Sequence, residues 1–170
     1  MAAGPRVAVL MGSDSDWPTM EKCVGQLTEL GLDAVVEVMS AHRTPERVHR
    51  FTRAADGAGL EVIIAAAGLA AGLAGTVAAN TSLPVIGVPI ASGSLQGVDA
   101  LLSTVQMPPG VPVATVGIGE AGAKNAALLA AQIIGSHDPD VAAAVRRFKE
   151  TLAEAVEKKN HALQEKLRKR

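Results

Sequence analysis

Side chains that can bind an anion and move a proton are concentrated in two short segments of this sequence. One is Gly12-Ser13-Asp14-Ser15-Asp16, and the other is Ser40-Ala41-His42-Arg43-Thr44-Pro45. Serine hydroxyls and the N–H groups at the start of a helix bind phosphate. Histidine exchanges a proton near neutral pH, and arginine binds carboxylate or phosphate through two hydrogen bonds. The two segments together indicate a phosphorylated substrate and proton-transfer chemistry.

The two aspartates of the first segment complicate a simple phosphate site, because a carboxylate repels phosphate. We assign the phosphate to Ser13 and the helix end, with Gly12 and Ser15 as further substrate contacts. Asp16 is expected to accept hydrogen bonds from the hydroxyls of a ribose. The structural alternative is that Ser15 or Asp16 only caps the following helix, which is compatible with ligand contact.

In the second segment, His42 is the predicted proton-transfer residue and Arg43 the predicted anion-binding residue. Ser40 and Ala41 are predicted substrate contacts beside them. The structural alternative makes His42 an ordinary loop histidine and Arg43 a surface charge. Their place in a strand-end crevice favours a functional role.

The strand pattern explains why both segments are expected in one crevice. Five apolar runs of strand length alternate with helix-length segments, a rhythm typical of a parallel sheet covered on both faces. We predict an α/β fold with three layers, a doubly wound five-stranded parallel sheet of flavodoxin or Rossmann type, and a C-terminal helical extension. Ligands bind at the carboxyl ends of such strands. The predicted strands are Val7–Met11, Ala34–Met39, Val62–Ala66, Val85–Val88 and Val113–Ile118.

Proline and glycine mark the expected helix boundaries. The first helix is predicted from Trp17-Pro18 to Gly31, and the second begins with Thr44 as N-cap and Pro45 at the first helical position. The alanine-rich stretch Ala121–Ile134 predicts a helix packed flat on the sheet. A length of 170 residues suits one catalytic domain, predicted as residues 1–138.

Residues 139–170 predict one long, charged helix. Its apolar residues recur three, four or seven positions apart, which makes a single face. The last third is too polar to be core, so we predict that the helix leaves its own domain and packs on a neighbouring subunit. The alternative is a solvated tail. The apolar residues are Val141, Val145, Phe148, Leu152, Val156, Leu163 and Leu167.

The third strand-end loop, Ala67–Gly75, has no functional side chain. It can therefore only offer backbone and close approach to a ligand, and we predict substrate contacts at Gly68 and Leu73. The loops Ala91–Gly97 and Gln106–Gly110 are expected to form walls.

A glycine pattern near the end of the domain is similar to a cofactor-binding motif. Gly117-Ile118-Gly119-Glu120-Ala121-Gly122 matches the dinucleotide-binding pattern G-x-G-x-x-G. That pattern belongs to the first βαβ unit and needs an acidic residue at the end of the next strand. No further strand follows here, so we discount an NAD-dependent dehydrogenase.

Composition excludes several other classes. A net charge of −1 and an aromatic content of 2% are unsuited to binding nucleic acid. The single Cys23 allows no internal disulfide and offers no metal cluster, as expected in a reducing compartment. Residues 1–6 lack the apolar core of a signal peptide, and proline and glycine interrupt the apolar stretches. We therefore expect a cytoplasmic protein that does not bind a membrane.

Several longer motifs together resemble one family, that of the bacterial N5-carboxyaminoimidazole ribonucleotide mutases, the catalytic subunits of phosphoribosylaminoimidazole carboxylase. The resemblance covers Arg6 to about Ile134. The motifs are Gly12-Ser13-Asp14-Ser15-Asp16-Trp17-Pro18, Ser40-Ala41-His42-Arg43-Thr44-Pro45, Leu83-Pro84-Val85-Ile86-Gly87-Val88-Pro89, Val105-Gln106-Met107-Pro108 and Asn125-Ala126-Ala127-Leu128-Leu129-Ala130-Ala131-Gln132-Ile133.

The resemblance implies a step of purine biosynthesis in which a carboxylate moves from the exocyclic nitrogen of an aminoimidazole ribonucleotide to a ring carbon. CO₂ would be released and recaptured in a closed site, with no ATP, metal or other cofactor. Ser13 and Asp16 would bind the ribose phosphate, Arg43 an anionic group, and His42 would carry the proton. The family resemblance also implies a homooctamer whose C-terminal helices pack on neighbours.

One position departs from the family pattern. Gly72 stands where the bacterial mutases usually carry histidine, and the related animal carboxylases carry a small residue there. Those carboxylases have lysine where this chain has Arg43, which favours the mutase. Direct carboxylation of aminoimidazole ribonucleotide by CO₂ is the second hypothesis. A variant impaired at Gly72 and a non-catalytic nucleotide-binding module are the others.

Overall fold

A five-stranded, all-parallel sheet forms the centre of the molecule in the computed structural model, which describes residues 4–169. The strand order β2-β1-β3-β4-β5 confirms the predicted doubly wound α/β fold of flavodoxin type. Residues 1–3 and 170, which the predicted boundaries 1–138 and 139–170 include, lie outside the described residues. The strands are β1 (Val7–Met11), β2 (Ala34–Val38), β3 (Val62–Gly68), β4 (Val85–Ile90) and β5 (Ala114–Thr115).

Helices cover both faces of the sheet. Helices α1 and α5 and the first part of α6 pack on one face, whereas α2 and α3 pack on the other, and α4 joins them beside β4. No helix among residues 4–169 is both long and apolar enough to cross a membrane. The helices are α1 (Trp17–Glu29), α2 (Pro45–Ala55), α3 (Leu73–Ala78), α4 (Val98–Val105), α5 (Gly119–Ile134) and α6 (Pro139–Arg168).

The central strands are buried on both faces, as their continuous apolar sequence predicts. In β1, Val7 and Val9 face α1 and α5, while Ala8 and Leu10 face the α2 and α3 layer. The alanines of α5 that meet the sheet side are fully buried, so this helix lies close to the strands and to α1. The predicted flat packing of the alanine-rich helix is confirmed.

The prediction for the fifth strand is wrong in extent. The apolar run Val113–Ile118 forms only the two-residue strand β5, paired with β4 alone. An edge strand has a neighbour on one side only, and here a single further bond, from Val116 N to Gly87 O at 3.1 Å, continues the ladder. The central strands β3 and β4 are instead longer than predicted. Strand β3 has a paired strand on each side, and β4 stays paired with it up to the last residue of both strands.

The predicted helix boundaries hold, with one correction. Gly31 has a φ of 76°, the left-handed conformation that ends a helix, and Leu32 N–H bonds back to Leu27 O. Thr44 occupies the N-cap position of α2, but its hydroxyl does not cap the helix. That hydroxyl instead donates to Ser40 O and accepts from Ser40 N–H, so it closes the preceding loop.

The glycine pattern before α5 has a packing explanation. A β-carbon at Gly122 would collide with the carbonyl of Gly117, so the first turn of α5 lies directly on the end of the preceding loop. The two glycines therefore permit a close backbone contact.

Helix α6 begins at a well-anchored point and then leaves the domain. Asp138 caps it by accepting from the N–H groups of Asp140 and Val141, and also pairs with Arg6 at 2.5 Å. Val141 and Val145 are buried against the core. Beyond Phe148 the helix has only exposed residues, as predicted for a segment too polar to be core; its apolar residues there are Leu152, Val156, Leu163 and Leu167.

Thr52 offers a test of the core under α2. Its hydroxyl is buried and has no hydrogen-bond partner among residues 4–169. An unsatisfied buried hydroxyl costs about 1–3 kcal/mol, so we expect Thr52→Val to raise the free energy of unfolding by about 1 kcal/mol in urea titrations. Thr52→Ser keeps the hydroxyl and loses a methyl group, and it should be destabilised. Equal stability of the valine and serine variants would contradict this account.

Candidate active site

One cavity of about 540 Å³ lies at the carboxyl ends of β1 to β4. Its volume lies in the range of small-molecule pockets. The structure brings all the predicted site residues to this cavity, together with four residues not predicted as substrate contacts. The predicted residues are Gly12, Ser13, Ser15, Asp16, Ser40, Ala41, His42, Arg43, Gly68, Gly72 and Leu73; the additional ones are Ala67, Leu69, Ala70 and Ser92.

The first loop is organised by a reciprocal capping arrangement. Ser13 Oγ accepts from Ser15 N–H at 3.3 Å, and Asp16 Oδ2 accepts from Ser13 N–H at 3.2 Å, around the 3-10 turn Asp14–Asp16. Asp16 occupies the N-cap position of α1, but its side chain makes no capping bond to that helix. The Asp16 side chain therefore does not cap α1 but holds the preceding loop, and its contact with a ligand stays a prediction.

The Asp16 carboxylate is the most constrained charged group of the cavity. Asp16 is 7% exposed, and this burial raises the pKa of its carboxyl above the ordinary value. Hydrogen bonds from Ser13 and Ser15 favour the ionised form and oppose the rise. A buried acceptor with a fixed orientation is suited to binding paired hydroxyl groups.

The second loop is joined to the first by Arg43. Its guanidinium Nη2 donates to Gly12 O at 3.1 Å, and its backbone N–H donates to Ser40 Oγ at 3.2 Å. Both His42 and Arg43 are exposed in the single chain. The Arg43 guanidinium therefore lies beside the first loop, and its other N–H groups can donate to an anion.

The third loop contributes backbone and hydrocarbon. The imidazole of His42 lies over Gly72, where a β-carbon would be 3.2 Å from Nε2. Contacts of that length are tighter than most β-carbons make, so a larger residue at position 72 would require the His42 ring to shift by a few tenths of an ångström. The glycine therefore permits the close approach of the His42 ring to this loop.

Ser92 is the polar residue that sequence reasoning missed. It follows the end of β4 by two positions, within the segment predicted only as a wall. The available signal was its place at a strand end beside the other loops, but nothing in the sequence distinguishes it from Ser94. Among residues 4–169, no three His, Cys, Asp or Glu side chains are grouped closely enough to hold a metal ion. A reaction without metal or cofactor stays a prediction.

Comparison with known proteins decides the family. A family model described as AIR carboxylase matches residues 6–155. This chain belongs to the AIR carboxylase family. The family resemblance inferred from the motifs is therefore confirmed, and the match extends beyond Ile134 into α6.

Relatives and solved structures agree with the family assignment. An N5-carboxyaminoimidazole ribonucleotide mutase of Mycobacterium tuberculosis is 55% identical over 160 residues, covering 94% of this chain and 91% of the relative. The mutase of Pyrococcus abyssi is 53% identical, covering 87% and 84%. The crystal structure of Treponema denticola PurE superposes with a TM-score of 0.83 at 32% identity, covering 94% and 99%.

Because Asp16 is buried, the stability of the folded chain should depend on pH. Because the pKa of Asp16 is raised in the folded chain, wild-type stability falls as pH rises from the ordinary aspartate pKa through the raised one. Asp16→Asn removes the charge, so we expect its thermal unfolding midpoint to exceed that of wild type by a few degrees at pH 7. The difference should shrink in acid, where Asp16 is protonated.

Asp14→Asn is the matched control, since Asp14 is exposed in the same turn. It removes only the Coulombic effect of Asp14 on Asp16 and leaves the burial of Asp16 in place, so it should change the midpoint less than Asp16→Asn does. A lower midpoint for Asp16→Asn at pH 7 would mean that the hydrogen bonds to the carboxylate outweigh its burial cost.

Proposed function

We propose that this protein converts N5-carboxyaminoimidazole ribonucleotide into 4-carboxy-5-aminoimidazole ribonucleotide, a step of purine biosynthesis. The observation that carries the proposal is the single cavity in which the Ser13 loop, Asp16, Arg43 and His42 meet. The name shared by its relatives at 53–55% identity supports the same reaction.

The polar groups suggest how the ribonucleotide is placed. The hydroxyls of Ser13 and Ser15 and the turn that precedes α1 take the phosphate, as the electropositive start of a helix favours. Ser13 Oγ now bonds within the loop, so phosphate would replace those internal bonds. Asp16 accepts hydrogen bonds from the ribose hydroxyls. Arg43, whose guanidinium donates to Gly12 O, binds an anionic group of the substrate.

His42 is assigned the proton transfer. Loss of CO₂ from the exocyclic nitrogen leaves an electron pair there, and the nitrogen takes a proton from the imidazolium. The ring carbon then attacks CO₂ and gives its proton back to the imidazole, so one histidine serves both halves. His42 starts the cycle protonated in this scheme, because the departing nitrogen needs a proton first.

Direct carboxylation of aminoimidazole ribonucleotide by CO₂ is the second candidate. Gly72 favours it, because the cavity has no side chain at the place against which His42 rests. The same chemistry would then use only the second half of the cycle, in which carbon attacks CO₂ and His42 accepts the proton.

The deciding experiment supplies purified protein with the N-carboxylated nucleotide or with aminoimidazole ribonucleotide and bicarbonate, and follows the carboxylated product. Faster turnover of the first supports the mutase, and faster turnover of the second supports the carboxylase. His42→Ala should lower kcat by about 10²-fold or more while nucleotide still binds.

His49→Ala is the matched control, because His49 lies on α2 outside the cavity. It should retain wild-type kcat. Turnover of neither substrate would reject the catalytic proposal and leave a nucleotide-binding module or an impaired variant. Unchanged kcat in His42→Ala would reject the proton-transfer role alone.

We also propose that α6 packs on a neighbouring subunit, in a homooctamer. Two apolar rows on this chain have no cover within residues 4–169. Leu152, Val156, Leu163 and Leu167 lie at helical spacing along α6, and their side chains are about half exposed or more. A second row runs along α4 and the turn before it; it comprises Leu95, Val98, Leu102 and Val105. Rows of this kind fit symmetric assembly better than a solvated tail does.

Light scattering tests the assembly. We expect full-length protein at the mass of eight chains, and we expect Leu163→Glu with Leu167→Glu to give smaller species, because buried carboxylates are costly. Gln164→Glu changes the charge of the same turn at a polar position and should leave the mass unchanged. A monomeric full-length chain would reject the proposal.

The compartment and the absence of cofactors also stay proposals. The lone Cys23 is buried, and burial raises the pKa of its thiol to about 12, which keeps it protonated and unreactive. This suits the reducing cytoplasm proposed for the protein.

A further inference from the structure

The cavity has two chemically different halves. Loops after β1 and β2 line it with hydroxyl, carboxylate, imidazole and guanidinium groups. The loop after β3 lines it only with alanine, glycine and leucine. Ser92, after β4, is the one residue on this second half that carries a polar side chain.

The Ser92 hydroxyl is held at a defined place. Gly68 pairs with Ile90 at the end of the sheet, and a β-carbon at Gly68 would collide with Ser92 Oγ. Ser92 therefore lies directly against the third loop, where only glycine leaves room for it. Leu69 covers the next residue, Gly93, from the other side, and does so with an unfavourable φ of 55°.

Two backbone N–H groups on this apolar half already donate hydrogen bonds within the loop. Ala71 N–H donates to Leu69 O at 2.8 Å, and Gly72 N–H donates to Ala70 O at 2.7 Å, so both serve tight turns. The Ser92 hydroxyl, by contrast, lines the cavity and makes no side-chain hydrogen bond within residues 4–169. A carboxylate entering this apolar half needs a donor.

We propose that Ser92 is a substrate-binding residue whose hydroxyl donates a hydrogen bond to the carboxylate carried by the aminoimidazole ring. This rests on the proposed function, which places a ribonucleotide with its phosphate at the first loop. The ring end then reaches the β3 and β4 side, across from Arg43. Ser92 distinguishes carboxylated from uncarboxylated ribonucleotide there, and Arg43 supplies charge from the opposite wall.

The test compares binding of two ligands that differ only by the carboxylate. Calorimetric titration gives the Kd of 4-carboxy-5-aminoimidazole ribonucleotide and of aminoimidazole ribonucleotide for wild type and Ser92→Ala. We expect Ser92→Ala to raise the first Kd about tenfold or more and the second less than twofold, as loss of a hydrogen bond to a charged group predicts. Ser94→Ala, an exposed serine of the same loop, should change neither Kd.

The outcomes separate this inference from the proposed function. Equal weakening of both ligands, or no weakening of either, overturns the role of Ser92 while the proposed function stands. Failure of wild type to bind either nucleotide overturns both. Thermal unfolding of Ser92→Ala within about one degree of wild type shows that the fold is intact; a larger loss assigns Ser92 a structural role and overturns the inference.

Discussion

The backbone of Gly12 joins the first loop to strand β3 and to the second loop, and the arrangement of the cavity depends on it. Its N–H donates to Ala66 O at 3.0 Å, which extends the β1 to β3 ladder one residue beyond β1. Its carbonyl accepts from Arg43 at 3.1 Å, which holds the second loop against the first. Small residues permit this closeness, since a β-carbon placed at Gly12 would lie only 3.5 Å from that of Ala67.

The loops that meet near Gly12 divide the cavity into a polar wall and an apolar wall. Polar groups come from two loops that precede helices with proline in the first turn. The third loop offers glycine and alanine, so the imidazole of His42 can rest over Gly72. Such a division orients a ligand that is charged at one end and flat at the other, because each end has a different preferred surface.

The cavity also contains features that do not stabilise the fold. Asp16 is buried, which raises the pKa of its carboxyl, and Leu69 adopts a conformation that leucine disfavours. Both lie at the cavity, and neither is needed by the core beneath it. Unfavourable groups persist in a fold when the surrounding structure holds them in place, and they concentrate where ligands bind.

The sequence by itself determined the fold class, the number and order of the five strands along the chain, and the two polar loops. Periodicity and the proline and glycine signals are local properties, which is why the strand Val62–Ala66, most of β3, and the end of α1 at Gly31 could be inferred. Tertiary structure alone decided the shortness of β5, since strand length at a sheet edge depends on a neighbour. It also decided the bond between Thr44 and Ser40 and the approach of Ser92 to Gly68, because contacts between side chains and separate loops leave no periodic trace in the chain.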